Sequence, residues 1–152
     1  MKRVLGIDIG GTNLVVGAVA ADGSRVIGDH SRPTDAARGP DAVVATLVEM
    51  GHHAMAELRR ELPEAEILGI GVGAPGPLDR HAGVVLLTPN LGWVDMPLRA
   101  ELAEGLGLAT ALDNDANCAV LGEAWVGAAR GGRHVIGMTI GTGIGGGIVL
   151  NG

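Results

Sequence analysis

Hydrophobic residues fall along this chain in two rhythms. From Arg3 to Ile9, and again from Leu14 to Ala20, they crowd into short runs rich in Val, Ile and Leu, as buried strands do. Asp22-Gly23 then supplies a hairpin turn, and Arg25 to His30 a return strand. Three consecutive strands joined by short turns run antiparallel. After a polar loop, 31–40, the rhythm changes. Val43, Leu47, Met50, Ala54 and Leu58 recur at spacings of three and four, which predicts a helix with one buried face. Asp41 in its first turn and Arg59-Arg60 in its last suit the helix dipole, and Pro63 stops it.

The second half mixes the two rhythms at shorter range. Glu66 to Val72 predicts a strand leading into a rigid loop, "GAPGPLD". Gly83 to Leu87 suggests a short edge strand, "TPNLGW" a loop, and Pro97 to Leu106 a short helix with Pro in its first turn. Ala109 to Leu112 reads as a strand, Asn114 to Ala129 as a helix, and Val135 to Ile140 as a strand. "GTGIGGG" is a turn, and a final strand starts at Ile148. This order predicts an α/β fold: a mixed sheet of about five strands flanked by helices, in one domain of 152 residues.

Composition adds two constraints. There is no Phe or Tyr, so Val, Ile, Leu, Ala and Met must fill the core beside Trp93 and Trp125. The net charge is -6 and Lys2 is the sole lysine, which disfavours a surface that tracks nucleic-acid phosphates. An anionic ligand would need backbone amides, helix N-termini and a metal ion. Cys118 is the single cysteine, so no internal disulfide forms. No apolar run approaches the length of a membrane span and no secretory leader is apparent. These features predict a cytoplasmic protein with no membrane and no nucleic-acid partner.

Candidate chemistry gathers at three places. The first strand carries Asp8 and ends in Gly10-Gly11-Thr12, whose amides and hydroxyl form a concavity for an anion. Asp8 can hold Mg²⁺ or its waters against a phosphate, or it can accept bonds from the turn amides and fix the turn. The second place is "GTGIGGG". Gly141, Gly143 and Gly146 fit G-x-G-x-x-G, but the dinucleotide fingerprint requires a following helix and here a strand follows. It repeats the strand, glycine-threonine turn, strand pattern of the N-terminus, so two such turns can face one ligand; a glycine hairpin without a ligand is the alternative. The third is Asp113-Asn114-Asp115 at a strand-to-helix junction. These residues cap helices. A carboxylate there is also a fixed general base of the kind phosphoryl transfer to an alcohol uses, and Asn114 can bond neighbouring sugar hydroxyls. The five histidines (His30, His52, His53, His81, His134) show no metal-ligand spacing. Cys118 reads as a small core residue.

Five segments in one order carry a resemblance: "IDIGGT" at 7–12, "GVGAPGPLD" at 71–79, "TPNLGW" at 88–93, "NDANCAVLGE" at 114–123 and "GTGIGGG" at 141–147. With them the chain resembles the first half of bacterial sugar kinases of the ROK family, nearest to the glucokinases among them. The resemblance implies an actin-like, ribonuclease-H-like ATPase fold and transfer of phosphate from ATP with Mg²⁺ to a hexose, glucose before fructose, N-acetylmannosamine or N-acetylglucosamine. It implies that Asp8, Gly10, Gly11, Thr12 and Asn13 form the first phosphate motif, with Asp8 meeting Mg²⁺ through phosphate or water. It implies that Gly141, Thr142, Gly143, Gly145 and Gly146 form the second. Asp115 would be the catalytic base, with Gly76, Asn90 and Asn114 touching the sugar and Glu123 behind them. Asn13 stands where many members have Lys. The family continues past residue 152 for about as long again, so residues 1–152 match its N-terminal domain. The continuation carries a Glu-x-x-His sugar contact, the adenine half and a structural zinc site, so zinc is expected only there. Without that half this chain is expected to be inactive alone, and to self-associate, as a homodimer, through the uncovered face. A sugar-responsive transcription regulator of the same family, or a sugar-binding fragment without turnover, are the competing readings.

Overall fold

A computed structural model describes residues 1–141 and 143–152. Strands β1 (Lys2–Ile9), β2 (Asn13–Ala20) and β3 (Val26–Pro33) form the antiparallel meander that the apolar runs predict. Helix α1 (Pro40–Glu61) follows a single 3₁₀ turn, and the chain then returns as β4 (Glu66–Ala74) alongside β1 and parallel to it. A small antiparallel sheet comes next: β5 (Leu78–Asp79), β6 (Val84–Thr88) and β7 (Trp93–Met96). Helix α2 (Leu98–Leu106) leads to β8 (Thr110–Asn114), parallel to β4, and β8 passes directly into α3 (Asp115–Trp125). The hairpin β9 (His134–Ile140) and β10 (Ile144–Leu150) ends the chain. The main sheet therefore has five strands in the order β3-β2-β1-β4-β8, mixed and flanked by helices as the sequence predicts.

Alternation along β1 and β4 sorts the two faces of this sheet. Leu5, Ile7 and Ile9, with Ile70, Val72 and Ala74, point into one core with Val43, Leu47 and Met50 of α1 and Leu98 and Leu102 of α2. Trp93 and Val85 of the small sheet extend that core. Trp93 is its one buried aromatic side chain, so aliphatic packing supplies the rest. The opposite face carries Gly6, Asp8, Gly71 and Gly73, and α3 packs on it beside β4 and β8.

Several boundaries differ from the sequence expectation, each for a local reason. β7 falls where only a loop is expected: Asp95 takes a left-handed φ of 50°, which breaks the two-residue period and turns both Trp93 and Met96 inward. β10 starts at Ile144 rather than Ile148, so Gly145, Gly146 and Gly147 lie in a strand. α3 ends at Trp125 instead of continuing to Ala129, and the Glu123 carboxylate accepts the Ala128 N–H (2.7 Å) to hold the chain beyond it. Cys118 is exposed rather than in the core.

Candidate active site

Asp8 and the helix N-terminus at Asp115 meet on the glycine-bearing face of the main sheet. Gly73 of β4 lies between two carboxylates. A Cβ at this position would stand 3.4 Å from the Asp115 Cα, 3.6 Å from Asp8 Oδ1 and 3.6 Å from the Cys118 Cβ. The missing side chain opens a cleft of about 780 Å³ lined by Asp8, Gly73, Asp113, Asp115 and Cys118. Burial first, and the negative charge of Asp115 second, push the Asp8 carboxyl above the usual carboxylate range. Two acids face each other there across a site that a cation would relieve, and a hard divalent ion such as Mg²⁺ fits that oxygen donor set.

Beyond Asp8 the chain turns tightly. The Gly10 N–H donates to Asn13 O (2.9 Å), Thr34 N–H donates to Thr12 O (2.9 Å), and the Thr34 hydroxyl donates to Gly10 O (2.7 Å). The turn is thus fixed by its own backbone and by Thr34. Among the described residues no turn amide bonds the Asp8 carboxylate, so Asp8 is not what fixes it. Gly11, Thr12 and Asn13 are exposed, and Asn90, also exposed, lies beside Gly11.

The three polar residues at the β8–α3 junction divide their work. Asn114 is the cap: its side-chain oxygen accepts from the N–H groups of Ala116 (3.0 Å) and Asn117 (3.2 Å). Its amide nitrogen reaches Gly76 O at 3.5 Å, which draws the β4–β5 loop toward the helix. Gly76 has φ 87° and a Cβ there would strike Leu87 O, so glycine alone fits. Asp113 accepts from Asn114 N–H (2.7 Å), Asn117 Nδ2 (3.1 Å) and Arg80 (2.9 Å). Burial pushes its carboxyl up, but those hydrogen bonds and the Arg80 charge outweigh it and hold the group below the usual range. Asp115 is half-buried and accepts one bond, from Ala116 N–H (2.8 Å). Among the described residues Asp113 accepts three hydrogen bonds and Asp115 one, so Asp115 keeps the greater capacity for a ligand.

The second glycine run lies across α3. The Gly141 N–H donates to Gly143 O (2.9 Å), and no atom lies within 4 Å of a Cβ built at either glycine. Thr142 falls outside the described residues. Gly145 and Gly147 instead face the helix: a Cβ would come within 3.0 Å of the Ala116 Cβ at Gly145, and within 2.9 Å of the Val120 Cβ at Gly147. A second cleft of about 560 Å³, lined by Gly76, Arg80, Asn114, Asn117 and Val149, adjoins the first at Asp113 and Cys118. Burial and the surrounding carboxylates push the Cys118 thiol up, so it stays protonated in the cleft wall.

Sequence reasoning missed one side-chain cluster. His30 of β3 meets His53 and Glu57 of α1, although the histidines show no metal spacing along the chain. The four-residue step from His53 to Glu57 is visible in a helix, whereas His30 joins them only through the packing of β3 on α1.

A mixed sheet of this strand order, with a glycine-threonine turn after β1 and a carboxylate-bearing helix N-terminus after β8, defines an actin-like, ribonuclease-H-like α/β domain. Comparison with known proteins narrows the class. The ROK family profile matches residues 4–152, and the chain belongs to the ROK family. It is 40% identical to a glucokinase of Thermotoga maritima over 152 residues, 99% of this chain and 45% of that protein. The crystal structure of a ROK family glucokinase from Streptomyces griseus in complex with glucose and AMPPNP superposes with a TM-score of 0.84 at 32% identity, covering 98% of this chain and 45% of that one. The ROK hexokinase from Thermus thermophilus gives 0.82 at 39% identity, covering 98% and 47%. The chain thus spans less than half the length of the relatives it matches.

Proposed function

We propose that residues 1–152 form the N-terminal domain of an ATP-dependent hexose kinase whose sugar is glucose. One observation carries this reading: among the described residues Asp115, at a helix N-terminus opposite Asp8 across Gly73, accepts a single hydrogen bond, while Asp113 is held by Arg80, Asn117 and the Asn114 N–H. The relatives named as glucokinases, and the neighbour solved with glucose and AMPPNP, support the choice of substrates.

In this reading Asp115 orients the reacting sugar hydroxyl and accepts its proton, while Gly76, Asn90 and Asn114 hold the rest of the sugar. The amides of Gly11, Thr12 and Asn13 meet phosphate at the first turn, and the run of Gly141, Thr142, Gly143, Gly145 and Gly146 meets it from the second. Gly10 shapes the first turn. Asp8 would hold Mg²⁺ through phosphate or water, and the ion would supply charge neutralisation for the phosphates. Positioning and exclusion of water supply most of the rate in such transfers, and both need a closed cleft, so the 152-residue chain alone is inactive. The reading places the protein in the cytoplasm with ATP and sugar as partners and no nucleic acid. Among the described residues no helix is long and apolar enough to cross a membrane. The outer face of the β9–β10 hairpin, where Ile136, Ile140 and Ile144 are 83%, 80% and 78% exposed, supports association through that face, as a homodimer or with the remainder of the longer protein.

Asp115→Asn in the longer protein tests the reading, because it keeps the shape of the side chain and removes the base. The expected result is a fall in kcat of about 10²-fold or more with the melting temperature unchanged. A kcat within about threefold of the parent would reduce Asp115 to a helix-capping residue.

A further inference from the structure

We propose that His30, His53 and Glu57 form a binding site for a divalent transition-metal ion such as Zn²⁺, on the α1-covered face of the main sheet, opposite the face that bears the carboxylate cleft, and independent of the kinase reading. His30 lies on β3, the edge strand of the main sheet, and His53 and Glu57 lie one turn apart on α1, which packs over it. The three side chains offer ligand atoms that all fall within 4.8 Å of one another. His30 Nε2 is 3.1 Å from Glu57 Oε2, and His53 Nε2 is 3.6 Å from Glu57 Oε1. Metal–ligand bonds of 2.0–2.1 Å at tetrahedral angles separate ligand atoms by about 3.3 Å. Each imidazole–carboxylate distance lies beside that value, His30 to Oε2 and His53 to Oε1 of Glu57. The rings stand edge to face at 80° with centroids 4.6 Å apart, so they are not stacked, and the Nε2 atom of each lies against the same carboxylate. Two imidazoles and a carboxylate leave a fourth position for water, a donor set suited to zinc.

The backbone around the cluster is shaped for it. β3 carries a bulge opposite Gly17, because Val16 pairs with His30 while Ala18 pairs with Ile27. Bulges re-aim the side chains that follow them. At the bulge Gly28 has φ 63°, and a Cβ there would stand 3.0 Å from Glu57 Oε2, so the absent side chain makes room for the acid. The chemistry along the β3–α1 seam changes at this point. Arg25–Glu61 and Arg32–Glu49, at 2.9 and 3.0 Å, pair each flanking acid with a guanidinium. Between them Glu57 faces two imidazoles, which have lone pairs to give a metal where guanidinium has none. Arg60 touches Glu57 Oε1 at 3.9 Å from a side chain 77% exposed, so it can swing away as an ion enters. A bound ion would tie the edge strand to its covering helix.

Isothermal titration of the purified protein with ZnCl2 tests this. One ion per chain is expected, with a rise in melting temperature that a chelator reverses. His53→Ala and His30→Gln should each weaken binding by more than about 10-fold, while His81→Ala and His134→Ala leave it intact. In the unmodified protein, nitrogen NMR of the histidine rings should show Zn²⁺ moving the Nε2 resonances of His30 and His53 and leaving those of the other three histidines in place. That readout decides the matter even where a variant fails to fold. No saturable binding, binding that the His30 and His53 variants retain, or resonance changes confined to other histidines would each overturn the assignment.

Discussion

The chain writes nearly the same pattern twice, "IDIGGT" near its start and "TIGTGIGGG" near its end, and the fold uses the two in different ways. In the first, the glycines are the turn itself: the next strand begins at Asn13, and Gly11 lies exposed beside Asn90. In the second, β10 already begins at Ile144, and Gly145 and Gly147 are strand residues pressed against α3. Bare backbone at one end makes an exposed turn. At the other it leaves room for a helix, and that packing sets the N-terminus of α3, where Asp115 is mounted. A glycine-rich run therefore does not announce its purpose; what its absent Cβ would have touched does.

Adding one methyl to each run breaks the comparison most sharply. Gly147→Ala would bring a Cβ to 2.9 Å from the Val120 Cβ and 3.0 Å from Ala116 O. Overpacking of this kind costs about 1–3 kcal/mol, and calorimetry should show the melting temperature falling by roughly 2–12 °C for a domain of this size. An unchanged melting point would mean that the hairpin stands off from α3. Gly11→Ala is the counterpart. Its Cβ would meet Asn90 at 3.7 Å, an ordinary contact, so stability should hold. Nucleotide affinity in the longer protein should fall by at least about 10-fold, equal to 1.4 kcal/mol, with sugar affinity kept. Equal loss of both ligands would point to misfolding and remove the distinction between the two turns.

A smaller effect is expected where both runs converge. Asn114→Ala removes the side-chain oxygen that accepts from Ala116 and Asn117 at the start of α3. Loss of a cap of this type costs about 1 kcal/mol, readable by urea denaturation. Since α3 carries the packing of the second run, Asn114→Ala combined with Gly147→Ala should deviate from additivity. Strict additivity would show that cap and hairpin act on α3 separately.

Much of this was legible in the residues. The five strands of the main sheet and both long helices follow from apolar rhythm, because each buries one face against a single layer. The small sheet was harder: Asp95 breaks the period between Trp93 and Met96, and a pattern of four residues cannot signal a strand that does not alternate. The extent of β10 was hidden for a related reason, since glycine gives no hydropathy contrast and the contacts that make Gly145 and Gly147 strand residues come from Ala116 and Val120, far back along the chain. At the junction, "DND" shows three polar groups but not their division of labour. That division depends on Arg80, brought to Asp113 from the β5–β6 loop. His30 reached His53 and Glu57 by the same route, through packing of a strand on a helix.

The smallest expected effect concerns the one acid that separates the two turns, for β1 carries Asp8 where β9 has Thr139. The Asp8 carboxyl lies above the usual range because of burial and then the charge of Asp115. The native state therefore binds more protons than the unfolded chain between the ordinary carboxylate pKa and the raised one, and stability falls as pH rises through that window. Asp113 runs the other way: despite its burial, hydrogen bonds and Arg80 hold it low, so its contribution is present above the ordinary carboxylate pKa and is lost as pH falls through the lowered one. Asp8→Asn should leave the ligand-free protein at least as stable as the parent at about pH 7, and Asp113→Asn should make it less stable there. The deficit of Asp113→Asn should shrink toward about pH 3, below the ordinary carboxylate pKa, as the unfolded chain takes up its proton. Urea denaturation at the two pH values reads both differences. A destabilised Asp8→Asn protein at neutral pH would mean that the charged form of Asp8 is satisfied within the fold, and the case for a cation between Asp8 and Asp115 would fall with it.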